Sequence, residues 1–386
     1  MTTRPTPLLP ALLLLLLAAC SSVGAPRPDV AAAPPAVSPD VSPDVSPDVS
    51  PAPEVSPLGG EATDLLARVQ ALRLASDSNR IAVHFAPEHR ERALRDRALV
   101  EEAMAFYADS LAVRAPLTLA VLTREQWERA ITWQPYGIPG VAGEPPVAFL
   151  PATDDNLAAD DALALRAGMS AAARQMIEAH GRTFEEGARR YVGLVGLHEL
   201  GHTYTQAFGI RPSHLWLNEL LATYMAHAFL AQRHPELAML WRGILRGYTD
   251  AVTPDHRSLE AFERLYFGVG ARNYIWYQAR FQEMVERAYA ARGLDFLRAV
   301  RDAFPASERT PVSLEEAVRR LERIQPGFAP WAAGLQGGGM RRRAARSADG
   351  ERRRTWHVAR RTERPEPRAE RRMSSAIDRH LHDETP

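Results

Sequence analysis

The chain has 386 residues, of which 47 are basic and 47 acidic, so its formal net charge is zero. This length allows about two or three domains, and the 46% of hydrophobic residues excludes wholesale disorder. The neutral charge balance argues against a dedicated nucleic-acid binder, so no nucleic-acid partner is expected. The single cysteine excludes an internal disulfide framework and a cysteine-based zinc site.

An apolar run near the N-terminus is typical of an export signal. It extends from Leu8 to Leu17, which is too short to span a bilayer as a stable helix, and it leads into Leu17-Ala18-Ala19-Cys20. This ending resembles the lipobox of bacterial lipoproteins. The resemblance implies a lipoprotein signal peptide over residues 1–19, a lipid anchor at Cys20 and, because Ser21 follows, the outer membrane of the bacterial cell envelope. The alternative is an ordinary secretory signal with an incidental cysteine.

Two further segments are predicted to lack a packed core. Residues 20–60 contain repeats of Val-Ser-Pro-Asp, and frequent proline favours extended backbone, which predicts a disordered tether. Residues 337–386 form an Arg-rich tail, with 14 Arg against 8 acidic residues from Arg341 onward. Disorder is the plainer interpretation of this tail, and contact with anionic lipid head groups is the other. The folded domain is therefore predicted over residues 61–336.

The first part of that domain predicts a small mixed sheet. Apolar and β-branched runs predict strands at 81–85 and 117–122, and helical spacing predicts helices over 88–114 and 124–131. A third run, 147–150, lies between two prolines. Because proline cannot donate to a strand ladder, we expect an edge strand there, suited to holding an extended peptide.

After residue 158 nearly all of the sequence favours helix. Thr183-Phe184-Glu185-Glu186 fits a capping box, and the helix that it opens should run to about Phe208 with Gly209 as its stop. This helix contains His198-Glu199-Leu200-Gly201-His202. Two histidines four residues apart lie on one helix face, so both imidazoles can reach one metal ion. Glu199 is suited to taking a proton from a metal-bound water.

A second helix is predicted to follow Pro212 and Ser213, and it carries a candidate third ligand. Glu219 lies in Trp-Leu-Asn-Glu-Leu-Leu-Ala-Thr-Tyr, residues 216–224. A hairpin of two helices can bring this carboxylate to the two histidines, which gives a His-His-Glu set with a position left for water.

Here the sequence resembles the gluzincin zinc metallopeptidases, the thermolysin-like clan or peptidase MA superfamily. The second-helix stretch is similar to the family pattern W-L-x-E-G-L-A-x-Y, with Leu220 where Gly is frequent. The resemblance implies an α+β, zincin-like fold, with a small mixed β-sheet lobe, a mostly helical lobe and the active-site helix between them. It also implies Zn²⁺ held by His198, His202 and Glu219.

The resemblance extends loosely to residues 80–325. The Tyr277 to Phe281 segment, which is expected to open a helix, resembles a family segment whose Tyr or His hydrogen-bonds the developing oxyanion. Tyr277 is the first candidate and Tyr274 the second, with a packed aromatic as the alternative for both. His214 and His227 are candidates for contacts near the metal or for structural histidines, and Thr223 for orienting a ligating histidine or for packing.

The sequence thus predicts a zinc-dependent peptidase that acts on peptide or protein substrates, with Glu199 as general base on a zinc-bound water. The alternative is a catalytically silent envelope lipoprotein that uses the same fold for binding or scaffolding. Neither the substrate nor the oligomeric state can be predicted from the sequence.

Lipidation of Cys20 can be tested in a bacterial host. We expect the full chain to incorporate a radiolabelled palmitate at this residue, because its only cysteine stands at the lipobox position. Cys20→Ser should lose the label and leave the membrane fraction. Membrane fractionation of the Cys20→Ser chain would show that the anchor lies elsewhere, with the Arg-rich tail as the next segment to test.

Overall fold

A computed structural model describes residues 64–336, apart from 155, 156 and 309. The export signal, Cys20, the tether and the Arg-rich tail lie outside the described residues. Within them the fold is mixed α+β, as predicted, with a five-stranded sheet followed by helices. The strands are β1 Ala75–Ser78, β2 Ala82–Phe85, β3 Thr118–Leu122, β4 Gly140–Ala142 and β5 Val147–Pro151.

In the described part of the chain, three labelled helices lie between or before the strands, and nine labelled helices follow them. The first three are α1 Leu65–Ala71, α2 Arg90–Leu111 and α3 Arg124–Ala130. The others are α4 Leu157–Leu165, α5 Ala171–Glu178, α6 Phe184–Ala207, α7 Leu215–Arg233, α8 Pro235–Ala251, α9 Leu259–Leu265, α10 Ala271–Arg292, α11 Asp295–Ala303 and α12 Leu314–Ile324. Residues 328–336 are also helical. None of the described helices combines the length and apolar character needed to cross a bilayer.

The sheet has the strand order β1-β2-β3-β5-β4. Strands β2, β3 and β5 are parallel to one another, whereas β1 and β4 pair antiparallel at the two edges. Both faces of β3 are buried, with Leu119 and Val121 facing one apolar cluster and Ala120 and Leu122 the other. Helices on both faces explain why this strand is a continuous apolar run instead of alternating with polar residues.

The predicted edge position of residues 147–150 is wrong. Strand β5 is internal, because it pairs with β3 through Thr118↔Val147 and with β4 through Gly140↔Phe149. The flanking prolines lie at the ends of the strand, where they remove no amide from the middle of the ladder, and the carbonyl of Pro146 accepts the amide of Thr118 at 3.0 Å. Because both edges of β5 are occupied, it cannot take an extended peptide.

Helix α6 is the central helix of the fold and is confirmed over nearly its predicted length. The Thr183 hydroxyl accepts the Glu186 amide at 3.2 Å, and Glu186 reaches back to the amide of Arg182. The helix ends before Gly209, whose φ of +87° is in the left-handed region that glycine adopts without strain. Its Gly196 lies against the sheet, because a Cβ there would be 2.7 Å from Leu150 Cδ2.

The next helix, α7, packs closely against α6. A Cβ on Gly201 would lie 2.4 Å from the carbonyl oxygen of Ala222, so the two backbones approach to a distance that only glycine permits. Helix α7 is buried on nearly every side from Trp216 to Leu230. It is therefore an interior helix, and the polar residues on it must be compensated by neighbouring elements.

Substitution of Gly201 tests this helix contact. Gly201→Ala should destabilise the fold by about 1–3 kcal/mol, since the new methyl group meets the α7 backbone instead of a flexible side chain. Gly193→Ala is the matched control on the same helix, because a Cβ there meets nothing within 4 Å. The control should be stabilised by about 0.5–1 kcal/mol through helix propensity. Equal unfolding midpoints in urea for the two variants would contradict the close approach.

Candidate metal centre

Helix α6 presents His198 and His202 on one face. Their rings are 4.9 Å apart between centroids and nearly perpendicular. His198 is 5% exposed, and the His202 side chain is 11% exposed. The four-residue spacing places both imidazoles on one helix face, as the sequence predicts, and this face lies in the protein interior.

Helix α7 brings Glu219 to these two histidines. Its Oε2 lies 3.1 Å from His198 Nε2, and its Oε1 lies 3.7 Å from His202 Nε2. The three side chains each offer a ligand atom, and these atoms lie within 4.8 Å of one another. The structure thus confirms that the residues predicted as metal ligands form one cluster that could hold a metal ion.

The Glu219 carboxylate is 1% exposed and is surrounded by donors from the helical lobe. Tyr266 donates to its Oε1 at 2.6 Å, while Tyr274 and Gln278 donate to its Oε2 at 2.7 and 2.6 Å. Burial opposes ionisation, but the neighbouring histidines and the Tyr266 hydroxyl together hold the pKa of Glu219 below its ordinary value. The carboxylate is therefore ionised at neutral pH and can act as a ligand.

The proton on His198 is placed by Thr223, one turn after Glu219. The Thr223 hydroxyl donates to Gln278 Oε1 at 3.2 Å and lies 3.2 Å from His198 Nδ1. A hydroxyl that donates its only proton to Gln278 must accept from His198, so Nδ1 carries the hydrogen. Of the two sequence interpretations of Thr223, the structure therefore favours orientation of a ligating histidine.

Two features of the cluster fit a bound cation. His202 Nε2 is enclosed and has no hydrogen-bond partner among the described residues. Burial lowers the pKa of His202 to about 4, so its imidazole is neutral and has a lone pair to offer. His198 Nε2, with a hydrogen on Nδ1, faces a carboxylate oxygen at 3.1 Å, a contact that either a proton or a metal ion between the two atoms stabilises. Two imidazoles and one carboxylate are the donor set of catalytic zinc sites.

His198 itself responds to the nearby negative charge. Burial opposes its charged form, but the hydrogen bond and charge of Glu219, together with the charge of Glu199, raise the pKa of His198 above its ordinary value. In the absence of a metal ion, a proton on His198 Nε2 is therefore stabilised by the carboxylate of Glu219. Glu199 is 7% exposed on the same turn of α6, close enough to act on His198 electrostatically.

The structure brings Tyr274 to the cluster and places Tyr277 elsewhere. The Tyr277 hydroxyl donates to the carbonyl of Ser258 at 2.8 Å, and its fully buried ring packs on Phe262. The two tyrosines are three residues apart on α10, which begins at Ala271 and not at Tyr277. The phase of this helix therefore turns Tyr274 towards Glu219, whereas the Tyr277 hydroxyl is engaged by a backbone carbonyl.

The other two histidines near the site in sequence have structural partners. His214 Nε2 lies 2.7 Å from the carbonyl oxygen of Val312. His227 Nδ1 lies 3.1 Å from Gln282 Nε2, and its ring packs edge-on against Tyr289. Of the two interpretations of these histidines, the structure favours the structural one.

Sequence reasoning missed Tyr266 and Gln278, although both contact Glu219. Tyr266 lies in a short 3₁₀ turn, Tyr266–Gly268, for which no periodic signal exists. Gln278 did carry a signal: polar residues at 274, 278, 282 and 286 recur every four positions along α10. The same spacing occurs at 219, 223 and 227 on the buried helix α7, so a polar contact between the two helices was predictable.

Comparisons of the chain with protein-family models, with curated proteins and with solved structures find no match. The argument for a metal centre therefore depends on the residues and geometry of this chain. The described residues show a buried His-His-Glu group that could hold a metal ion. The identity of the metal and the gluzincin family stay predictions.

Removal of the carboxylate tests the ligand set. Glu219→Ala should lower zinc occupancy sharply, because it deletes one of three ligands and leaves two neutral imidazoles. Zinc is measured by atomic absorption on the purified full chain after dialysis. His214→Ala and His227→Ala are the controls, and both should keep the zinc content of the unmodified protein. Full zinc retention by Glu219→Ala would mean that a different third ligand is used.

Proposed function

We propose that this protein is a zinc-dependent peptidase with a zincin-like fold, in which His198, His202 and Glu219 hold the metal. The observation that supports this most directly is the orphaned Nε2 of His202, enclosed beside an ionised carboxylate. An unpartnered buried nitrogen is costly unless a ligand completes it. The HExxH pattern and the downstream glutamate supply the donor set that such peptidases use.

A bound zinc ion would supply an acidified water and a polarised scissile carbonyl. In this proposal Glu199 is the general base and is not a ligand. Glu199 takes a proton from the attacking water and later delivers it to the leaving amine of the peptide. Glu199 lies next to His198 on α6 and is only 7% exposed, so its carboxylate is buried with the cluster.

A hydroxyl donor completes the proposed site. Tyr274 takes this role in place of Tyr277, because its hydroxyl lies at the ligand cluster, 2.7 Å from Glu219, whereas that of Tyr277 lies on the backbone carbonyl of Ser258. In this role the Tyr274 hydroxyl would exchange its hydrogen bond to Glu219 for one to the substrate. A phenol beside the ligand cluster can donate to the negative oxygen that develops on the substrate carbonyl. Tyr266, whose hydroxyl donates to the other carboxylate oxygen, would keep Glu219 in place when Tyr274 turns to the substrate.

The cellular placement is part of the same proposal. The lipobox ending at Cys20 would anchor the domain to the cell envelope, with residues 20–60 as a spacer between membrane and body. Its substrates would then be peptides or proteins of the envelope.

Glu199→Gln tests the role of Glu199 as general base independently of metal binding by the three ligands. This change keeps the size of the side chain and removes its ability to take a proton. Zinc content and unfolding midpoint should be unchanged, while hydrolysis of unfolded casein should fall by about 10²–10⁴-fold. Glu185→Gln, an exposed residue on the same helix, is the control and should cleave at the normal rate.

Two outcomes would change the proposal. Equal cleavage by Glu199→Gln and the unmodified chain would show that Glu199 is not the base. A zinc-loaded, folded protein that cleaves neither casein nor a peptide library would favour the silent lipoprotein, in which the fold serves binding or scaffolding.

A further inference from the structure

The side-chain amide of Gln278 contacts Glu219, one of the three proposed ligands, and Thr223, which lies beside a second ligand, His198. Its Nε2 donates to Glu219 Oε2 at 2.6 Å, and its Oε1 accepts from the Thr223 hydroxyl at 3.2 Å. Thr223 in turn lies 3.2 Å from Nδ1 of His198. Because His198 Nε2 is 3.1 Å from the same Glu219 oxygen, these contacts close a ring through four side chains.

The two hydrogen bonds of the Gln278 side chain set the donors and acceptors from Glu219 to His198. The amide turns its NH₂ towards Glu219 and its carbonyl towards Thr223. The Thr223 hydroxyl then donates to that carbonyl and accepts from His198. The hydrogen of His198 is thereby fixed on Nδ1, and Nε2 is left with the lone pair that a metal ion requires.

We propose that Gln278 is a positioning residue of the metal centre, which orients Glu219 directly and selects the metal-binding tautomer of His198 through Thr223. This inference rests on the proposed function only in taking the triad as a metal site. Gln278 is 9% exposed and comes from α10, so it couples the helical lobe to the α6–α7 pair. It touches no reacting atom and acts through the ligands.

The chain offers a matched control one turn further along α10. Gln282 is also buried, at 3% exposure, and its Nε2 lies 3.1 Å from Nδ1 of His227 on α7. It differs from Gln278 in that its Nε2 contacts His227 and Glu286, which are outside the triad. Gln278→Met and Gln282→Met both remove a buried amide from α10. Only Gln278→Met also breaks the ring of contacts among the four side chains.

The test measures metal binding and not turnover. The full chain is stripped of metal, and the dissociation constants for zinc and cobalt(II) are determined by competition with a chromophoric chelator. Gln278→Met and the isosteric Thr223→Val should each weaken binding by about 10–100-fold, the usual effect of removing a partner of a metal ligand. The visible absorption of the cobalt(II) form should also change, because the ligands lose their fixed orientation. Gln282→Met should bind both metals as tightly as the unmodified chain.

The double variant adds a further test. Because Thr223 and Gln278 belong to one chain of hydrogen bonds, the combined change should cost little more than either change alone. Thr205→Val is the control for Thr223→Val, since Thr205 is buried and its hydroxyl has no partner among the described residues. Additive effects of the two ring substitutions would show that they act separately, which overturns the relay through Thr223.

The outcomes distinguish this inference from the proposed function. If the unmodified chain binds zinc and cleaves casein while Gln278→Met keeps normal metal affinity and cobalt spectrum, the positioning role is wrong and the peptidase stands. Equal weakening in Gln278→Met and Gln282→Met would likewise reduce Gln278 to a packing residue. If Gln278→Met does not fold, Thr223→Val decides, and unchanged affinity there overturns the inference. Failure of the unmodified chain to bind either metal would remove the metal centre itself.

Discussion

A charged carboxylate in the interior is the constraint on which the arrangement of this fold depends. Glu219 is almost fully enclosed on a helix whose buried residues are mostly apolar. An uncompensated charge in such a position costs several kcal/mol, so donors must be supplied from all sides. They come from Tyr266 in the turn after α9 and from Tyr274 and Gln278 on α10, while His198 on α6 contacts the same carboxylate. The requirement to satisfy one carboxylate thus makes four separate segments converge.

The convergence also needs backbones that can approach closely. Gly201 lets α6 lie against the α7 backbone at Ala222, and Gly196 lets the same helix lie against Leu150 of the sheet. Each glycine lies within five residues of a ligating histidine. The sheet and α7 therefore hold α6 from two directions, and the ligand positions inherit the rigidity of both contacts.

The parts of the structure with strong local causes were predictable. The Thr183 cap and the four-residue histidine spacing determined α6 and the ligands on it, and apolar runs located β2 and β3 to within a residue. The order of strands was not, because proline at 146 and 151 shows where amides are missing and not which strands lie alongside β5. The choice of Tyr277 over Tyr274 failed for a similar reason: it depends on the rotation of α10, which tertiary packing sets.

The polar spacing on α7 and α10 also fixes how the two helices are aligned lengthwise. Glu219 and Thr223 contact Gln278, and His227 contacts Gln282. The contacting residues therefore advance along α7 and α10 in the same direction, one turn at a time. Sliding α10 by one turn would set Gln282 beside Glu219 and Glu286 beside His227, and would draw Tyr274 away from the carboxylate. An apolar interface would tolerate such a slip at small cost, since its contacts are interchangeable. The buried polar residues are far better hydrogen-bonded in one alignment than in the alignments one turn away. They therefore fix the register of α7 against α10.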